Sequence, residues 1–92
     1  MSPRRANVIG LGLIGGSIAR ALTERGWHVC GEDHDPTRCA TAEARGFTSG
    51  TGLDHDAEVT FVATPVLTLA DQVKRALAET SGAIVISGPA GS

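Results

Sequence analysis

The chain has 92 residues, a formal net charge of −2 and a hydrophobic share of 41%. That length suits one small domain, and the acidic balance argues against nucleic acid or an anionic membrane as partner, since both require a basic face. Its apolar stretches are strand-sized, Met1-Ser2-Pro3-Arg4-Arg5 lacks the apolar run of a secretory signal, and two cysteines are too few for a disulfide framework, so neither a membrane span nor export is expected and a reducing cytoplasm fits.

In chain order, a short apolar strand, Ala6-Asn7-Val8-Ile9, runs into Gly10-Leu11-Gly12-Leu13-Ile14-Gly15 and then into a helical pattern. With 12 glycines in the chain, a G-x-G-x-x-G string can arise by chance, so its setting decides. Strand, glycine turn and helix are the parts of a dinucleotide-binding turn: Gly10 permits the tight reversal, Gly12 lets backbone N–H groups approach a pyrophosphate, and Gly15 lets helix and strand pack closely. The unpaired N–H groups at the helix start then stabilise an anion. Gly10, Gly12, Leu13, Ile14 and Gly15 are therefore the candidate phosphate contacts. Ile14, Ile18 and Leu22 recur on one helix face, and Gly26 ends the helix with Arg25 in a position that suits the dipole.

A second strand, Trp27 to Gly31, ends in Glu32-Asp33, with Cys30 read as a buried thiol on it and His28 as a packing residue. Asp33 lies about 20 residues past the turn, where an acid accepts hydrogen bonds from the adenosine ribose; Glu32 is the competing ligand. An acid there repels a 2′-phosphate, so NAD is the expected cofactor, although Arg38 nearby leaves room for NADP. Asp35-Pro36 reads as an N-cap and first helical residue, opening a helix through Arg45 that holds Cys39 and that Gly46 ends.

Phe47 to Thr51 supplies a short third strand, and a polar connection leads to Val59-Thr60-Phe61-Val62-Ala63, a β-branched and aromatic fourth strand closed by Thr64-Pro65. Ala63, Thr64 and Pro65 stand at the carboxyl end of that strand, beside the crevice where open α/β sheets bind ligands. Thr68 and Asp71 form a capping-box pattern before a helix whose Leu69, Val73 and Leu77 share a face. Ala83 to Ile86 is a fifth strand with an apolar edge that invites self-association. The alternation implies an α/β fold, a Rossmann-type doubly wound parallel sheet, truncated, in strand order 3-2-1-4-5. Asp33-His34-Asp35 and Asp54-His55-Asp56 carry ligand-type side chains, but they fall at opposite ends of the sheet, so no metal site is expected.

The segments Gly10-Leu11-Gly12-Leu13-Ile14-Gly15-Gly16-Ser17, Gly31-Glu32-Asp33-His34-Asp35-Pro36 and Ala63-Thr64-Pro65-Val66 resemble the cofactor-binding half of the prephenate and arogenate dehydrogenases, from about Val8 to Ile86. The resemblance implies an NAD- or NADP-dependent oxidoreductase that decarboxylates prephenate to 4-hydroxyphenylpyruvate in tyrosine biosynthesis. Two departures stand out. The connection from Thr51 to Glu58 is shorter than the family's, and after the fifth strand the family carries Asp-Val-Gly-Ser-Val-Lys where this chain reads Ser87-Gly88-Pro89-Ala90-Gly91-Ser92. No catalytic residue is carried over, and the expectation is a dinucleotide-binding domain over 1–87, a small-residue tail over 88–92, and no substrate or dimerisation domain. The alternatives are a non-catalytic nucleotide-binding module, another hydroxyacid dehydrogenase, and an adenosylmethionine-dependent methyltransferase.

Overall fold

The computed structural model describes residues 3–86; the small-residue tail expected over 88–92 lies outside them. The elements are β1 (Arg5–Ile9), α1 (Leu13–Glu24), β2 (His28–Glu32), α2 (Pro36–Ala44), β3 (Gly50–Thr51), β4 (Val59–Val62), α3 (Val66–Glu79) and β5 (Ala83–Ile86). All strand pairs are parallel, in the order β3-β2-β1-β4-β5, a truncated Rossmann-like sheet as the alternation implied. The third strand is shorter than expected. Only Gly50 and Thr51 pair with β2, while Phe47 turns inward to pack against the core and Thr48 is buried.

Period-two alternation divides the side chains of the sheet between two layers. Val8 and Val29 face α1 and α2 in a core with Leu11, Ala19 and Ala42, onto which Ile18, Leu22, Trp27, Cys39 and Phe61 pack. On the opposite face, Ile9 and Val62 meet Ala76 of α3, with Leu69, Val73, Leu53 and Ile84 around them. The buried stripe on each helix is not quite the one the spacing suggested. On α3 the seam is Leu69, Val73 and Ala76, while Leu77 is 66% exposed. On α1 it is Gly15, Ile18, Ala19 and Leu22, and Ile14 is left largely in solvent.

The ends of the helices follow local chemistry. Gly26 and Gly46 adopt positive φ after α1 and α2, as helix-ending glycines do. Asp35 caps α2 by accepting from the Thr37 N–H at 2.9 Å, with Pro36 in the first turn. The capping box expected from Thr68 and Asp71 does not form. The chain enters α3 earlier, at Pro65, and Thr68 lies inside the first turn with its hydroxyl donating back to the Pro65 carbonyl.

Two polar side chains that pattern reading passed over tie the sheet together. Asn7, in the middle of β1, has no exposed surface. Its Nδ2 donates to the Asp54 carbonyl at 2.9 Å and to Thr60 Oγ1 at 3.2 Å, and its Oδ1 accepts from the Asp54 N–H at 2.8 Å. A side-chain amide thus pairs with the backbone of the connection between β3 and β4, which is how so short a connection is held. The second tie is Arg75 of α3, whose guanidinium forks onto both carboxylate oxygens of Glu32 at the end of β2 and also reaches Glu79 at 3.0 Å. Cys30, on the same face, is half-buried rather than buried; desolvation, then the charge of Asp54, pushes its thiol pKa up.

Replacing Asn7 by Leu keeps the volume roughly constant but leaves the part-buried backbone groups of Asp54 and the buried Thr60 hydroxyl without their partner. This variant is expected to lose about 2–3 kcal/mol, the cost of leaving buried donors and acceptors unpaired. Thermal unfolding followed by circular dichroism should show the midpoint falling by roughly 10 °C or more for a domain of this size.

Candidate functional site

The carboxyl ends of β1 and β4 adjoin at the centre of the sheet, and their connections leave in opposite directions, β1 toward β2 and β4 toward β5. Between them opens the crevice at the topological switch point of the fold. The turn from Gly10 to Gly15 follows β1 and the segment Ala63, Thr64 and Pro65 follows β4, so the two stand side by side at this end of the sheet.

The three glycines of the turn differ in what surrounds them. Gly10 adopts φ +95, and a Cβ there would stand 2.6 Å from the Ala63 carbonyl oxygen, so this glycine serves both the reversal and the close approach of the two strand ends. A Cβ on Gly15 would stand 1.6 Å from the Gly10 carbonyl oxygen, which leaves no room for any side chain where α1 leans on the turn. Gly12 is different. A Cβ on it would meet nothing closer than Arg38 Nη1 at 3.9 Å, so the protein does not fill the space above it. Packing requires glycine at Gly10 and Gly15; at Gly12, only a ligand would.

Hydrogen bonds hold this turn against the end of β2. The Gly10 N–H donates to the Glu32 carbonyl at 2.7 Å and the Leu11 N–H to Asp33 Oδ2 at 2.6 Å, while Asp33 Oδ1 accepts from the Asp35 N–H at 2.8 Å. The Asp33 side chain is 2% exposed, and Arg38 Nη1 lies 3.8 Å from it. Asp33 is therefore first a structural anchor of the turn, a duty its position in the sequence did not reveal. Glu32, its competitor, is turned to the α3 face and occupied by Arg75.

The helix starts bordering the crevice have a feature in common. α1 begins at Gly12 and α3 at Pro65, and neither has a side-chain cap, whereas α2, which starts beyond the end of β2, is capped by Asp35. The backbone N–H groups of Leu13 and Ile14 thus stand at a helix start without a capping oxygen, in the positive field of the α1 dipole. Thr64 Oγ1 is buried at the crevice and has no hydrogen-bond partner among the described residues. An open cradle over Gly12, an uncapped helix start and an orphaned hydroxyl together fit an anionic, hydrogen-bonding ligand such as a dinucleotide. Leu13 and Leu67, 93% and 96% exposed, leave apolar side chains on both rims.

The remaining ligand-type residues are dispersed. Asp54 sits at the amino end of the sheet, paired with Arg5, and His55 contacts the Glu79 carbonyl. His34 stands 3.4 Å from Asp33, and His28 lies on β2 near Cys30. Among the described residues no three His, Cys, Asp or Glu side chains gather as a metal centre, and no helix is long and apolar enough to cross a membrane.

Residues 5–91 match the profile of a family described as NADP oxidoreductase coenzyme F420-dependent. The chain belongs to this family. Among solved structures, it is similar to the arogenate dehydrogenase of Synechocystis, with 26% identity and a TM-score of 0.79 over 91% of this chain and 32% of that one. It also shares its fold with the A. aeolicus prephenate dehydrogenase, determined with hydroxyphenyl propionate and NAD+ (20% identity, TM-score 0.82, 96% of this chain and 34% of that one). The same is true of the Mycobacterium tuberculosis 3-hydroxyisobutyrate dehydrogenase (20%, 0.81, 95% and 32%). No curated protein matches the chain. The chain spans about a third of the length of these solved relatives. Family and fold make it an NAD(P)-binding domain of the dehydrogenase type, and the resemblance to the cofactor-binding part of arogenate and prephenate dehydrogenases holds.

The glycine geometry makes a sharp contrast testable. Gly15→Ala improves helix propensity yet drives a methyl group into the Gly10 carbonyl, so it is expected to destabilise by several kcal/mol, about 3 or more, as overpacking against backbone does. Gly12→Val meets open space at an extended backbone and should unfold within about 1 kcal/mol of the parent. Urea titrations of the two variants give the comparison directly.

Proposed function

We propose that this domain binds NAD(H) across the crevice and presents it to a small hydroxyacid, with prephenate or arogenate as the substrate class. The observation that carries the reading is the space over Gly12, which no side chain of the protein fills, beside an uncapped helix start. In this reading the N–H groups of Leu13, Ile14 and Gly15 hold the pyrophosphate, with Gly10 shaping the turn and Gly12 giving it access. Ala63, Thr64 and Pro65 line the opposite wall, where the Thr64 hydroxyl gains the hydrogen-bond partner it lacks. The nicotinamide, when bound, supplies a hydride acceptor; the domain itself only binds and orients it.

Asp33 has a double duty in this proposal. A carboxylate offers about four acceptor positions. Backbone N–H groups take one on each oxygen, leaving the others for the adenosine ribose hydroxyls. Because the carboxylate is pinned from both sides, it cannot swing away from a 2′-phosphate, which favours NAD over NADP. Arg38 at 3.8 Å softens that repulsion without removing it. The relatives' NAD+ complex and the family's NADP description are both compatible with the site, so the preference rests on Asp33.

Isothermal titration with NADH and NADPH tests this. NADH is expected to bind about tenfold more tightly, equivalent to one like-charge contact of roughly 1.4 kcal/mol. Asp33→Asn should narrow the gap and, by loosening the anchor on Leu11, weaken both ligands. Gly12→Val should abolish binding of either while circular dichroism reports a folded domain. Equal or tighter NADPH binding would refute the preference, and full NADH affinity in folded Gly12→Val would refute the site.

The substrate half of the reaction is proposed to lie outside this chain. Oxidative decarboxylation needs a base for the substrate hydroxyl and cations for its carboxylates. Of the three histidines, only His34 stands near the crevice, and it is beside the ribose-binding acid. Purified residues 1–92 are expected to give no NADH from prephenate or arogenate. Turnover that disappears in Gly12→Val would show the opposite. The edge of β5, where Val85 and Ile86 are exposed, is proposed to pair weakly with a second copy; sedimentation velocity should then show concentration-dependent association.

A further inference from the structure

Asp33 carries the expected preference for NAD, yet its carboxylate is not the group that meets solvent at the end of β2. The side chain is 2% exposed, and a nitrogen-bearing side chain stands against each of its oxygens. His34 Nδ1 lies 3.4 Å from Oδ1, and Arg38 Nη1 lies 3.8 Å from Oδ2. His34 is 82% exposed and Arg38 half-exposed. Local backbone fixes this arrangement. The Leu11 N–H holds Oδ2, and the Asp35 N–H donates to Oδ1, closing a tight turn over Asp33-His34-Asp35 that keeps the imidazole beside the carboxylate.

Three charged groups join His34 in this patch. Asp33 follows the end of β2, Asp35 caps α2, and Arg38 in the first turn of α2 lies 3.8 Å from the one and 4.0 Å from the other. The first turn of α1, across the glycine turn, brings no charged side chain. With the imidazole neutral, two carboxylates face one guanidinium and the patch is net negative. With it protonated, the four charges balance. Histidine is the side chain whose ordinary titration falls between about pH 5 and 8, so the charge of this patch changes within that range.

We propose that His34 is a specificity-determining residue for the 2′ position of the adenosine ribose: protonated, it admits the 2′-phosphate of NADP, and neutral, it leaves NAD preferred. This role rests on the dinucleotide reading, in which Asp33 receives that ribose. A phosphate on the 2′ oxygen then lies beside the groups that flank Asp33, and a phosphate dianion gains from a second cation there. The start of α2 adds a favourable field. NAD has a hydroxyl at that position and no charge, so its affinity is nearly indifferent to the imidazole. The other two histidines stand apart from this patch, His28 beside Cys30 on β2 and His55 against the Glu79 carbonyl.

The test is isothermal titration of the full chain with NAD+ and NADP+, which withstand acid better than their reduced forms, at about pH 5.5 and about pH 8 and low constant ionic strength. The 2′-phosphate itself titrates near pH 6, so the comparison is made between proteins at each pH. His34→Gln has no cation at either pH, and His34→Arg has one at both. The parent is expected to match His34→Gln in NADP+ affinity at about pH 8 and His34→Arg at about pH 5.5, the two variants differing by about fivefold, as an exposed charge contact does. NAD+ affinity should stay within about twofold across all three. His34 is exposed, so both variants should fold, and circular dichroism checks this. A parent that follows the same variant at both pH values, or variants equal in NADP+ affinity while NAD+ still binds, would overturn this role alone. Failure of both dinucleotides to bind any of the three proteins would overturn the dinucleotide reading and this role with it.

Discussion

Everything at the carboxyl edge of this sheet depends on two places where a Cβ is not tolerated. Gly10 brings the end of β1 against the backbone of Ala63, and Gly15 brings the first turn of α1 against the carbonyl of Gly10. These contacts set where α1 starts and how its N–H groups are aimed. They also set the distance between the two walls of the crevice. Close packing of backbone on backbone is stiff, because neither side has a rotamer to give. In the proposed function this stiffness means that the turn needs little reorganisation to hold a phosphate, which lowers the cost of binding.

Charge is distributed with the same economy around that edge. Of the two acids ending β2, Asp33 turns toward the glycine turn and Glu32 toward α3, one on each side of the sheet. The alternation of strand side chains alone separates them. Each is then held by a different kind of donor, backbone N–H groups for Asp33 and the Arg75 fork for Glu32. The tip of β2 is thereby fastened to the turn on one face and to α3 on the other.

Much of this was legible in the sequence, because local chemistry wrote it. The glycine turn, the helix-ending Gly26 and Gly46 and the Asp35-Pro36 cap follow from residues within a few positions of one another, and the strand order from the alternation of strands and helices along the chain. What was misread turned on the phase and exact start of a helix, and what was missed turned on contacts at long range. Residues four apart on a helix advance about 40° beyond a full turn, so Leu77 has drifted off the stripe begun by Leu69, while Ala76, seven residues on, has not. The same drift carries Ile14 away from Ile18 and Leu22. Thr68 and Asp71 have the spacing of a cap, but Pro65 had already started the helix. Asn7 and Arg75 gave no local signal at all, since their partners lie 47 and 43 residues away.

Those separations bear on how the chain reaches this structure. Every ladder in the sheet is parallel, so no two strands can zip from a hairpin turn, and each pairing waits for an intervening segment to be spanned. The pairing of β1 with β4, and with it the Asn7 bonds, closes the longest of these loops. The entropy of that closure is paid before the buried amide finds its partners. Acquisition of the β1–β4 contact is therefore the natural bottleneck of folding, and the crevice that it creates is among the last parts of the domain to take shape.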